Sequence, residues 1–398
     1  MNKQEKIVKL YPIYYAFTAD LVFYIPIDTL FLSHVKNLSA SQITFMNMFG
    51  LLVCTIFQKP VIKIAKKIGN GKSVRLGMFL LLISTIVLCF SNSMATMLIY
   101  RFLSDLSLMF SSMIKIIIKH NLMSISKPSE YVKTINSGNI LYGIVTLFTT
   151  LVSGYLYNFN NYLPLYISII IFFVMFIIAF YFDDAETDEL DIHEADSSIH
   201  FNKVLLYIFL SSALFVSIFR VGQNNSKLLL QYGLESSLPL AKVTIYLTYI
   251  MFASRIVRIL GNVFFRRLYS YYKADVGNYM AIAHFICYAL LVLGNYSNVF
   301  IIKVILMSLG YFIILAIRDP YQTYIDDIIL KNTTSDIQQQ AIVKCEVYRK
   351  ILQLVINLSF SAILLKYEFV ITEVVLLILA FIEIFINYRM VNLLKKNS

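Results

Sequence analysis

The chain has 398 residues, 59% of them hydrophobic and only 14% charged, with a mean hydropathy of +0.72. Soluble domains carry about a quarter charged residues, so these values exclude a soluble protein and describe a polytopic membrane protein. The net charge of +11 calls for no nucleic acid, because the bases gather in particular connections between apolar runs.

Twelve apolar runs of roughly membrane-spanning length follow one another, at 10–35, 43–66, 74–93, 95–119, 134–157, 162–182, 203–231, 241–266, 276–294, 298–318, 340–365 and 369–392. Strand alternation with regular turns is missing, which argues against a β-barrel. The first span carries Asp20 and Asp28, eight residues apart and so on one face of a continuous helix, with Pro26 between them to bend it. Lys59, Lys63, Lys66, Lys67, Lys72 and Arg75 crowd the connection after the second span, and Lys127 and Lys133 flank the one after the fourth. The odd-numbered connections at 91–95, 158–161 and 295–298 lack Lys and Arg, so the positive-inside rule places both termini in the cytoplasm. The N-terminus lacks the small-residue cleavage site of a secretory leader.

The fourth span, RFLSDLSLMFSSMIKIIIKH, poses a question, because Arg101, Asp105, Ser112, Lys115 and Lys119 fall on one helical stripe. Facing lipid, each charge would cost several kcal/mol, so the stripe is expected to face protein or a water-filled cavity. The fourth span should run inward from the outer surface, with Arg101 about six residues deep and Asp105 near the midplane. Asp28 on the oppositely directed first span is then level with Arg101.

After the sixth span comes DDAETDELDIHEADSSIH, with eight acids and no Lys or Arg. It reads as a solvated cytoplasmic linker, 183–202, between six-span halves at 1–182 and 203–398. His193 and His200 within it read as linker residues rather than metal ligands. On the seventh span Arg220, Asn224, Lys227 and Gln231 share a face by spacing, with Gln223 beside them, and read as cavity lining together with Lys115. Tyr246 and Tyr249 on the eighth span could add aromatic walls. Arg318, Asp319, Asp326 and Asp327 end the tenth span, and Glu346, Arg349 and Lys350 open the eleventh; these read as gate ion pairs, which Arg255 and Arg258 could join. The four cysteines fall in predicted helices at unrelated spacings, which argues against disulfides and a metal site. HExxH, GxSxG and P-loop patterns are missing, which argues against a membrane-embedded enzyme.

Six plus six spans around a long central loop resemble the major facilitator superfamily of transporters. The best local anchor follows the second span, where the family's P-x-G-x-L-A-D-R-x-G-R-K stretch is matched at Pro60, Ala65, Lys67 and Gly69 but not at Ile62 or Lys66. Arg266-Arg267-Leu268 after the eighth span echoes Lys66-Lys67-Ile68. The resemblance implies an all-α fold of two pseudo-symmetric six-helix bundles, a substrate site between them, and a gate at Lys66, Lys67 and Gly69. Lys66 stands where the family has an Asp, so the gate would need a charge swap, with Asp326, Asp327 or Glu346 as partner, or a different closure.

Two acids on the first span and Arg101 on the fourth look like the multidrug/proton antiporter branch, although Asp105 replaces the Gly of its R-x-x-x-G motif. The branch's Gly-Pro run is absent from the fifth span, which has only Gly138, Gly143 and Gly154. The implied function is proton-coupled export of small amphipathic molecules by alternating access, with Asp20, Asp28, Arg101 and Asp105 handling protons. Exchange or symport of an organic anion, and flipping of a lipid-linked substrate, are alternatives that the bases on spans four and seven would suit; a receptor is a further one. Expected partners are a small-molecule substrate, protons and membrane lipids, with no cofactor and a monomeric chain. The expected location is a bacterial plasma membrane.

Overall fold

Where the chain must turn, its residues leave little choice, and the computed structural model follows them across residues 3–21, 23–183, 203–333 and 338–397. His193, His200 and the rest of the linker after Asp183 lie outside the described residues. All regular structure among the described residues is helical.

The first span is not one helix. Helix α1 (Lys3–Thr18) stops short of Asp20, and the chain resumes as a 3-10 turn (Ile25–Ile27), a short α-turn (Asp28–Leu30) and a π-helical turn (Phe31–Val35). Pro26 accounts for the break, since it has no N–H to continue a helix across it and its ring crowds the preceding turn. The shared helical face expected for Asp20 and Asp28 is therefore corrected, because the two acids belong to separate segments.

Next come α2 (Ala40–Ile68) and α3 (Asn70–Phe90), joined only by Gly69. Gly69 has φ +87°, a conformation that side chains disfavour, which is why a glycine permits so abrupt a turn. The fourth span is also in two pieces, α4 (Met94–Ser111) and α5 (Ile114–Ser124). Ser93 and Thr96 cap the start of α4 reciprocally. Between the two pieces, Ser112 Oγ donates to Met109 O at 2.7 Å, satisfying a carbonyl from the side chain. Along the expected stripe from Arg101 to Lys119 burial differs: Asp105 is buried and Arg101 half-buried on α4, whereas Lys115 and Lys119 are exposed on α5. Helices α6 (Tyr131–Phe159) and α7 (Leu163–Ala179) complete the first half.

The second half comprises α8 (Lys203–Glu235), α9 (Leu240–Tyr272), α10 (Val276–Tyr296), α11 (Phe300–Lys331), α12 (Gln338–Ile363) and α13 (Val370–Asn397). Among the described residues, seven helical stretches are long and apolar enough to cross a membrane. Two compact units result, Met1–Leu38 with Met46–His193, and Ser39–Phe45 with Glu194–Ser398.

The internal repeat is visible in which helices touch. In the N-terminal unit α3 packs on α4 and α7, and α1 packs on α6; in the C-terminal unit α10 packs on α11 and α13, and α8 packs on α12. Counted as spans, these are the same pairs shifted by six, so the fold is two pseudo-symmetric bundles of six spans. In the second bundle α8 is central, touching α11, α12 and α13, and most of its length is buried.

Candidate functional site

Among the described residues, each unit holds charged residues paired within it. In the N-terminal unit, Arg101 Nε donates to Asp105 Oδ2 at 2.8 Å, and Asp105 is 3% exposed. The pair is held against α2 at Gly50. A Cβ there would meet Arg101 Nη2 at 2.8 Å and come closer still to Arg101 Nε and Asp105 Oδ2. Only the missing side chain leaves room for the pair.

Asp20, in the interruption of the first span, accepts a hydrogen bond from Tyr142 Oη of α6 at 3.1 Å. Asp28 Oδ1 accepts from the backbone N–H of Thr29 at 2.6 Å. Asp20, Asp28, Arg101 and Asp105 all lie within electrostatic reach of the buried Tyr100. Tyr24 Oη and Thr29 Oγ1 nearby in the chain are buried with no hydrogen-bond partner. Irregular backbone at membrane depth is tolerated where it is buried in protein or lines a cavity, which fits a broken first span carrying acids.

In the C-terminal unit the residues expected as gate and as substrate contacts meet. Arg220 Nη1 donates to Glu346 Oε1 at 2.8 Å, and Arg349 Nη1 donates to Glu346 Oε2 at 3.0 Å. Arg258 holds Asp319 in a two-point contact at 2.6 and 3.1 Å, with Asn262 at 3.3 Å and Arg318 at 3.5 Å. Gln322 Nε2 donates to both oxygens of Asp326 at 2.8 and 2.9 Å, and Asp327 pairs with Lys331 at 2.7 Å. The acids named as partners for Lys66 therefore have partners inside their own unit. A cavity of about 220 Å³ is lined by Phe215, Val216, Phe219, Arg220, Arg318, Asp319, Gln322 and Glu346. Its charged wall is two bases matched by two acids.

The other expected residues are scattered. Along α8, Gln223 is half-buried and Asn224 exposed, while Lys227 and Gln231 are buried, with Gln231 donating to Glu235 at 2.7 Å. The helical stripe exists, but neighbouring helices cover it unevenly along its length. Lys66 and Lys67 are exposed at the end of α2, and Tyr246 and Tyr249 are exposed on α9. One contact had no sequence signal. Asp183, the first acid of the linker, pairs with Arg75 and with Lys3 at 3.3 Å, and its carbonyl accepts from Asn121 Nδ2 at 3.0 Å. Among the described residues no three His, Cys, Asp or Glu side chains converge as a metal site.

The sequence model of the Major Facilitator Superfamily matches residues 12–335. The chain belongs to this superfamily. No curated protein matches the sequence. Among solved structures, the nucleoside transporter NupG superposes with a TM-score of 0.75 at 13% identity, covering 99% of this chain and 100% of that one. A bacterial homologue of the human lysosomal transporter Spinster gives 0.68 at 10% identity, covering 98% and 97%. A bacterial homologue of the iron transporter ferroportin gives 0.67 at 12%, covering 98% of both chains. At such identities these likenesses speak for the fold, and with the family they make the chain a multi-pass membrane transporter.

Proposed function

We propose that this transporter couples the movement of a small amphipathic solute, in the export direction, to proton movement by alternating access. The observation that carries the reading is the gathering of Asp20, Asp28, Arg101 and Asp105 at an interrupted span. A carboxyl there can exchange its proton as its hydration and its distance from Arg101 change during the cycle. Tyr142 orients Asp20, and Gly50 holds the Arg101–Asp105 pair, so the acids start from a defined arrangement.

The solute is best matched by a neutral or zwitterionic amphipathic molecule. Arg220, one of the bases that would have favoured an organic anion, is paired with Glu346, and Phe215 and Phe219 supply apolar surface beside it. Nucleosides fall within that chemical class, and NupG, a nucleoside transporter, shares the fold. Lys115, Gln223, Asn224, Lys227, Tyr246 and Tyr249 complete the proposed lining. Lys66, Lys67, Gly69, Arg318, Asp319, Asp326, Glu346 and Arg349 make the proposed gate, and protein monomers in a bacterial plasma membrane with cytoplasmic termini complete the reading.

The test is flux in proteoliposomes under an imposed pH gradient, with a panel of nucleosides, lipophilic cations and organic anions. Flux that follows the gradient in the wild type and becomes indifferent to it in Asp28→Asn supports the assignment. Flux that ignores the gradient in the wild type defeats proton coupling, and an anion-only response would restore the anion reading.

A further inference from the structure

Helix α13 carries a second set of ionisable groups that the proposed coupling site does not use. Glu373, Leu376, Ala380, Glu383 and Asn387 recur at spacings of three and four, and all five are fully buried. Both glutamates thus point into the C-terminal unit and away from any lipid. Glu383 Oε2 lies 2.8 Å from His284 Nδ1 of α10, and both side chains are 0% exposed. Glu373 accepts a long hydrogen bond from Ser226 Oγ of α8 at 3.4 Å.

None of the three groups is fully satisfied. His284 Nε2, Glu383 Oε1 and Glu373 Oε2 are buried polar atoms without a hydrogen-bond partner. A purely structural lock would be expected to have each of these atoms paired, because an unpaired buried polar group costs stability. Phe215 lies against the His284 ring at 4.4 Å between centroids, and Tyr288 is on its other flank at 5.2 Å. One turn along α13 from Glu383, Asn387 accepts a hydrogen bond at 3.0 Å from Ser211 Oγ, which lies 2.9 Å from Tyr321 Oη.

The surrounding charges are sparse. From α10, Cys287 and Tyr288 are within electrostatic reach of both glutamates. From α11, Tyr321 is within reach of Glu383, and Arg349 of α12 is within reach of Tyr321. On α8, Lys227 is buried one position beyond Ser226, and at the far end of α13 Lys395 pairs with Asp275. His284 is therefore the one base in hydrogen-bond contact with Glu383 among the described residues.

We propose that the His284–Glu383 pair is a proton-binding site in the core of the C-terminal unit, with Glu373 as a second proton acceptor on the same face of α13. With neutral His284 donating from Nδ1 to carboxylate Glu383, the pair has a net charge of −1. Taking up one proton at His284 Nε2 makes it neutral, and releasing that proton restores the starting state. Buried ionisable groups facing a bundle interior are the usual material of proton relays in transporters. The site is separate from the N-terminal acids and does not depend on their assignment.

The test uses resting protein without substrate, so it stands or falls apart from the flux assay. Purified full-length protein is titrated between about pH 5 and 8, counting protons bound by the wild type, Glu383→Gln, His284→Asn and Glu373→Gln. Expected is a loss of about one proton per chain in Glu383→Gln and in His284→Asn. Because these variants could fail to fold, a chain whose other histidines (34, 120, 193 and 200) are replaced by Asn is labelled with 15N-histidine. The ring shifts of its His284 should move across the same range. Unchanged proton counts in folded variants, or His284 shifts that stay flat, would overturn the proposal.

Discussion

The two units keep their charges in opposite ways. In the N-terminal unit Asp20 and Asp28 sit on a span that is broken, and the fourth span that carries Arg101 and Asp105 tightens locally seven residues beyond Asp105. In the C-terminal unit, α13 runs unbroken past both buried glutamates, which rely on His284 and Ser226 on other helices. The contrast teaches that an interrupted helix presents charge where backbone and side chain can rearrange together. A continuous helix packed on its neighbours holds charge in a fixed core, where little besides a proton can come and go.

The sharpest way to break this contrast is at the Arg101–Asp105 pair. Arg101→Ala leaves Asp105 buried and unpaired and should destabilise the protein by about 3 kcal/mol, read as a lowered melting temperature in detergent. Converting Asp105 to Leu in the same chain should recover much of that loss, whereas no recovery would mean that the pair is not what holds α4. Gly50→Ala comes next. The added methyl displaces the pair at a cost of about 1–3 kcal/mol, and pH-driven flux should fall well below that of the neighbouring control Leu51→Ala.

A smaller effect is expected from Tyr142→Phe, which removes one hydrogen bond to Asp20 and should cost about 1 kcal/mol. Its main signature is a displaced pH midpoint of flux with expression unchanged; an unmoved midpoint would detach Asp20 from coupling. Smallest is Asp183→Asn. That half-exposed contact with Arg75 and Lys3 should be worth under about 1 kcal/mol, and salt should hide it.

Much of the fold was legible in the sequence, because spans, halves and repeat follow from hydropathy and base distribution, which local composition records. The stripe of Arg101 and Asp105 was legible for the same reason: two charges in an apolar run at one-turn spacing must face each other or a cavity. The interruption at Asp20 was not, since hydropathy is indifferent to which backbone hydrogen bonds are made, and Pro26 suggests only a bend. Gly50 carries no signal of its own, as its meaning lies in the side chains of another helix. Glu373 and Glu383 sit in plain view at a ten-residue interval, yet their significance depends on His284, 99 residues away from Glu383. Likewise Arg220 and Glu346, read as substrate contact and gate, are 126 residues apart and meet only in three dimensions.

The most direct test of proton coupling through the N-terminal acids is proton exchange by purified protein in weakly buffered detergent, on adding nucleosides, lipophilic cations and organic anions in turn. The account predicts proton release on adding a transported solute to the wild type and its disappearance in Asp28→Asn. Release of the same size in both proteins would contradict it.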